Sequence, residues 1–187
     1  PPTVRSKKAE EQGLGITLFE RLHPLLGEER LTLLRVQYRM NEKIMNFSSR
    51  EFYGSQLIAD ESVKTHTLAD MESVKETPET KESFLFLDTA GRGFEEALEP
   101  GSESRYNLEE AEMVAGYVRK FLEAGVKPED IAVISPYSAQ VRLLTSKIPE
   151  PAIEVDSVDG FQGREKELVI LSLVRSNVEG ELGFLTD

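Results

Sequence analysis

The chain of 187 residues contains no cysteine, which excludes disulfides and thiolate metal sites. Its two histidines make no obvious zinc cluster. No apolar run approaches the ~18–20 residues that a membrane-spanning helix requires. No basic segment, apolar core and cleavage site open the chain, so no export signal is visible. The expectation is an intracellular protein, cytoplasmic and/or nuclear, with no membrane partner.

Positive charge is also scarce. Lys and Arg number 22 against 34 Asp and Glu, for a net charge of −12. Taken alone, that argues against a nucleic-acid partner, whose phosphates need local positive charge. The acid is unevenly placed, however. Segment 95–112 carries Glu95, Glu96, Glu99, Glu103, Glu109, Glu110 and Glu112, opposed only by Arg105. Segment 70–82 is similarly acidic, whereas 35–50 is basic, with Arg35, Arg39, Lys43 and Arg50 against Glu42. The location of the basic residues therefore decides more than the total.

What is present is an alternation of helical and extended patterns. Residues 5–13 are polar and predict a loop, and Leu18, Phe19, Leu22, Leu25 and Leu26 recur at helical spacing over 16–26. Leu31–Val36 suits a short buried strand. Asn41 is placed to cap a helix over 42–53, with Ile44, Met45, Phe47 and Phe52 as its inner face. Residues 54–82 and 91–106 read as surface excursions around a strand at Phe84–Asp88. Asn107 opens a helix to about 123, with Leu108, Ala111, Val114, Ala115, Val118, Phe121 and Leu122 as its stripe. A strand over 131–135, a helix over 139–147, a strand over 153–158 and a strand over 168–174, covered on both faces, complete the pattern. Such alternation predicts an α/β domain with a mainly parallel sheet and helices on both faces. Ligands of such sheets gather at the carboxyl ends of strands.

The polar block between the last two strands is Ser157–Glu167, SVDGFQGREKE. Gln162-Gly163 sets a polar side chain beside bare backbone, which lets N–H groups approach an anion. Spacing alone favours a solvated charged loop slightly and does not distinguish it from an anion-binding one. Literal wording separates them. Ser157–Asn177 resembles motif V of superfamily 1 helicases of the Upf-like group. Val36-Gln37-Tyr38-Arg39-Met40 looks like that group's V-Q-Y-R-M motif, and Ile134–Gln140 is similar to its (S/T)-P-Y-x-x-Q segment. Ser176–Leu185 matches the stretch before motif VI, and Pro1-Pro2-Thr3 looks like the tail of motif III.

The resemblance implies the second, RecA-like (P-loop NTPase-type) motor domain of an ATP-dependent 5′–3′ RNA or DNA helicase. It implies that Tyr38 stacks on adenine and that Arg39 contacts the γ-phosphate and stabilises transition-state charge. Glu165 would bind the ribose hydroxyls, Gly163 would lie against the phosphates, and Gln37 would support the loop. Ser135, Pro136 and Tyr137 would meet the single strand, with Ser157 and Asp159 as further candidates. Read from residue type alone, Tyr38 and Tyr137 equally suit core packing, and Arg39 and Glu165 suit solvated surface charges.

Neither G-x-x-x-x-G-K-[ST] nor D-E-A-x occurs. In the family both lie in the first motor domain, with the Mg²⁺ ligands, so that domain is the implied partner. The expectation is a fragment of 1–187 that is a single, incomplete motor domain, stops before motif VI and the last strand, and is inactive alone. No metal ligands are expected in it. The alternative is a non-enzymatic, helicase-like domain that binds protein or RNA.

Overall fold

The computed structural model describes Val4 and residues 6–186, leaving aside the side chains of Glu28, Phe184 and Thr186. The similarity of Pro1–Thr3 to motif III lies outside the described residues. In chain order come α1 (Lys7–Glu11), α2 (Leu18–Leu26), β1 (Val36–Gln37), α3 (Glu42–Phe52), β2 (Ile58–Ala59), α4 (Pro78–Lys81), β3 (Glu96–Leu98), β4 (Arg105–Asn107), α5 (Leu108–Glu123), β5 (Ile131–Ser135), α6 (Ser138–Lys147), β6 (Glu154–Ser157), α7 (Val158–Phe161) and β7 (Leu168–Leu171). The protein is α/β, with parallel strand pairs and helical connections, consistent with a RecA-like fold.

The centre is a parallel sheet ordered β6–β5–β7. Ala132 to Ser135 lie opposite Glu154 to Ser157, and Ile131 to Ile134 opposite Leu168 to Leu171. Every residue of β5 is buried, as its apolar run requires between two neighbours. Helix α5 supplies the other half of the core. Ala111, Val114, Ala115, Val118 and Phe121 recur every three or four residues and pack with Ile131, Val133, Leu144 and Ile148. Each large side chain buried there contributes about 1.5–3 kcal/mol relative to exposure. The Asn107 side chain accepts from the Glu110 N–H at 3.0 Å, and acidic residues in the first turn complement the helix dipole.

Several expectations need correction. Of the expected strand over 31–36 only Val36 is strand, continued by Gln37. On α3, Asn41 does cap the helix, but the buried residues are Met45 and Ser49, while Ile44, Phe47 and Phe52 are exposed. Periodicity marks an apolar stripe without saying what covers it, and α2 shows the same, with Leu18, Phe19 and Leu25 exposed. Helix α1 lies within the stretch read as loop. Segment 54–82 is no loose excursion: β2 pairs in parallel with β1, and Leu68 enters the core. Phe84–Asp88 joins no ladder among the described residues, and its apolar side chains are exposed. The acidic 91–104 segment instead contributes β3, which pairs antiparallel with β4. The last strand ends at Leu171 and alternates, with Val169 and Leu171 exposed, so one face is open rather than both covered.

Candidate nucleotide and nucleic-acid sites

The end of β1 is shaped by one side chain. Gln37 Oε1 accepts from the Arg39 and Met40 N–H groups at 2.8 and 2.9 Å, and its Nε2 donates to the Met40 carbonyl at 2.8 Å. This small ring of hydrogen bonds closes a turn. It leaves Tyr38 67% exposed and sends Arg39 outward. Arg39 Nε lies 2.7 Å from Glu165 Oε2, across 126 positions of sequence. Both side chains are well exposed, so water screens the pair and it contributes little stability. A pair held so weakly can exchange its partner for a ligand at small cost.

The block before β7 crosses from one end of the sheet to the other. Ser157, at the carboxyl end of β6, caps α7 by accepting from the Gly160 N–H at 3.1 Å. Its far end lies at the amino edge, where Lys166 Nζ donates to the Glu129 carbonyl just before β5 and Arg164 pairs with Glu154 and Asp156. The carboxyl-edge rule therefore holds for Ser157 and Asp159 but not for Gly163 and Glu165. Gly163 has φ +84°, a conformation that other residues enter only with strain, and a side chain there would meet open space. Arg164, Lys166 and Glu167 all have protein partners; His66 Nε2 is 3.3 Å from Glu167 Oε2.

The Ser-Pro-Tyr strand end is different in character. Ser135 is fully buried and its Oγ accepts from the Tyr137 N–H at 3.4 Å. Tyr137 is only 5% exposed. Pro136 and Ser157 are half-buried, and Asp159 is exposed. Five candidate residues thus divide into two beneath the surface and three on it.

Sequence reasoning passed over the polar groups that hold this end together. Gln140 is completely buried on α6. Its Oε1 accepts from the Asn107 N–H at 2.9 Å, and its Nε2 donates to the Asn107 carbonyl at 3.2 Å and to Ser172 Oγ at 3.0 Å. Ser172 Oγ donates onward to Glu110 at 2.7 Å. A second buried group is the ion pair of Glu96 and Arg175, each 5% exposed, with Nε to Oε2 at 2.8 Å. Burial opposes the Glu96 charge, but hydrogen bonds from Arg175, the Ser176 N–H and Asn177 outweigh it and hold the carboxyl below its ordinary range. Arg175 is held charged more firmly than usual, first by the Tyr137 hydroxyl and then, against burial, by Glu96. The available signal was a polar Gln140 beside apolar helix positions, and an arginine directly after an apolar strand. Among the described residues, no group of three His, Cys, Asp or Glu is arranged to hold a metal.

The α/β domain thus sets Arg39 and Glu165 together at its surface, with Tyr38, the neighbour of Arg39 in the chain, exposed. A family model described as an AAA domain matches residues 14–187, and the chain belongs to that family. The whole chain aligns at 46% identity with DNA-binding protein SMUBP-2 of Rattus norvegicus. It aligns at 42% with DNA polymerase alpha-associated DNA helicase A of Schizosaccharomyces pombe, and at 42% with an uncharacterized ATP-dependent helicase of Methanocaldococcus jannaschii. It covers 19% of the first and 28% of each of the others. These relatives agree with the resemblance to Upf-like superfamily 1 helicases. No helix among the described residues is long and apolar enough to cross a membrane.

Proposed function

We propose that this chain is the second RecA-like motor domain, over 1–187, of an ATP-dependent nucleic-acid helicase that works inside the cell, in the nucleus or cytoplasm. It forms half of the ATP site between two motor domains and part of the single-strand track. The observation that carries this is the Arg39–Glu165 pair at 2.7 Å beside the exposed Tyr38 ring. Two segments far apart in sequence converge with the three side-chain types a nucleotide needs. Tyr38 offers a flat face to adenine. Glu165 offers oxygens to the ribose hydroxyls. Arg39 offers a planar fork of donors to the γ-phosphate and to the charge that develops on it. Gly163 leaves room for phosphates against bare backbone.

The chain has no phosphate-loop lysine and no acidic Walker B pair. The first motor domain is the partner that supplies these and the Mg²⁺ ligands, so this chain alone does not turn over ATP. Single-stranded RNA or DNA passes the carboxyl ends of β5 and β6, over Pro136, Ser157 and Asp159, with Ser135 and Tyr137 shaping the surface from below. Relatives named as helicases favour this reading over a helicase-like domain kept only for binding protein or RNA.

The test uses the full-length protein that carries this chain. Arg39→Ala lowers the nucleic-acid-stimulated ATPase kcat by about a thousandfold, the lower end of what an arginine at a transferring phosphate supplies. An unchanged kcat removes Arg39 from the site and, with it, the main support for this reading.

A further inference from the structure

The acidic segment 95–112 has no part in the nucleotide wall, yet two of its carboxylates, buried Glu96 and half-buried Glu110, turn inward onto the chain that follows β7. The backbone there is unusual. Val174 is fully buried and has φ +72°, a left-handed value that a β-branched side chain strongly resists. The Arg175 N–H donates to the Leu173 carbonyl at 2.8 Å, which makes Val174 the centre of a tight turn of the strained hand. Such strain persists only where the surroundings over-determine it. Here they do. Both Glu110 oxygens accept from the Val174 N–H at 3.1 Å, and Asn107 Nδ2 donates to the Val174 carbonyl at 3.3 Å.

The turn swings Arg175 off the line of β7 and into the protein. Its Nε bonds Glu96 of β3, and its NH1 donates to the Tyr137 hydroxyl at 3.5 Å. Glu96 also accepts from Arg105 at 2.9 Å, the Ser176 N–H at 2.8 Å and Asn177 at 3.3 Å. The backbone of Gly183 closes over the same guanidinium: a side chain on it would collide with Arg175 NH1. One arginine therefore joins the β3–β4 hairpin, the Ser-Pro-Tyr strand end and the segment around Gly183.

We infer that Arg175, anchored by Glu96 and aimed by the strained turn at Val174, is a positioning residue that holds the Ser135–Tyr137 strand end in shape for single-stranded nucleic acid. The inference rests on the proposed strand path over that end. It also gives the acidic segment a role: Glu96 and Glu110 are engaged in contacts within the protein, and the charge of Glu96 is offset by Arg175 and Arg105. Arg175 touches neither nucleotide nor strand in this account, so its effect falls on strand binding alone.

The experiment measures, in the full-length protein, the affinity for a fluorescein-labelled oligo-dT by anisotropy, the affinity for a non-hydrolysable ATP analogue, and Tm. Ser138→Glu tests the strand path: it adds repelling charge at an exposed site where the α6 amino terminus tolerates an acid. Unchanged oligo-dT affinity in that variant overturns the path and this inference together. Arg175→Lys keeps the charge but loses the fork, and Tyr137→Phe removes only the hydroxyl. The expected losses in oligo-dT affinity are about tenfold and about threefold, the range of one charged and one neutral hydrogen bond, with analogue affinity unchanged. If Ser138→Glu weakens binding while Tyr137→Phe and a folded Arg175→Lys bind oligo-dT like wild type, the path stands and the role of Arg175 falls. Equal losses for both ligands, with a lower Tm, make Arg175 merely structural and overturn it as well. If Arg175→Lys does not fold, Tyr137→Phe decides alone.

Discussion

Replacing Gln140 with leucine keeps the side-chain volume nearly constant and removes every polar contact at the hub of the domain. In the folded protein Gln140 is fully buried and makes three hydrogen bonds, two to the Asn107 backbone and one to Ser172. The Asn107 N–H would be orphaned, at a cost of about 1–3 kcal/mol, and the two donated bonds add about 0.5–1.5 kcal/mol each. Ser172 keeps Glu110 as an acceptor, so its share falls at the low end. The added apolar burial of leucine returns about 1 kcal/mol. The expected net loss is about 3 kcal/mol, which would place Gln140→Leu in the class of broken buried networks rather than surface changes. In urea the midpoint should fall by about 1–2 M with an unchanged slope. The Ser172→Ala change should be less than additive with it, because the two residues share one bond. A loss below about 0.5 kcal/mol, typical of a surface substitution, would refute the reasoning, because Gln140 could not then be satisfying buried groups.

Tyr38→Ala in the full-length protein should raise KM for ATP by about tenfold, the size of one base–aromatic stacking contact, with a smaller effect on kcat. Unaltered nucleotide affinity would leave Tyr38 without its assigned role. Acid should weaken the domain through Glu96. Its folded carboxyl lies below the ordinary range, so the unfolded chain binds the proton first. The stability it contributes is fully present above the unfolded value of about 4.3 and is lost as pH falls through the folded value. Urea titrations of Glu96→Gln and wild type should therefore differ most at neutral pH and converge on acidification. A pH-independent difference would show that the carboxylate charge is not what matters.

Much of the domain was legible from residue order. The helix over 108–123 is written in its stripe, its Asn107 cap and the apolar residues every third or fourth place; the observed core uses those positions from Ala111 on, while Leu108 of the expected stripe is exposed. Strand 131–135 is a continuous apolar run and is buried throughout. Elsewhere the same kind of signal misled. Phe84–Leu87 and the outer residues of α3 are apolar at suitable spacing, yet they are exposed. Hydrophobic period reports which side chains could be buried together, and burial also needs a covering surface that the period does not encode.

By itself, the sequence determined the class of fold, the family to which the chain belongs and the residue types of the candidate nucleotide wall, because periodicity and literal motif wording are local properties. The tertiary structure decided the rest. Only folding brings Arg39 to Glu165 across 126 positions, carries Gly163 and Glu165 to the amino edge, and sinks Ser135 and Tyr137 beneath the strand end. Only folding turns two glutamates of an acidic run inward as partners of Arg175 and the Val174 backbone. The reason is physical: whether a charge is solvated, paired or buried depends on what the fold places beside it, and distance along the chain carries no information about that.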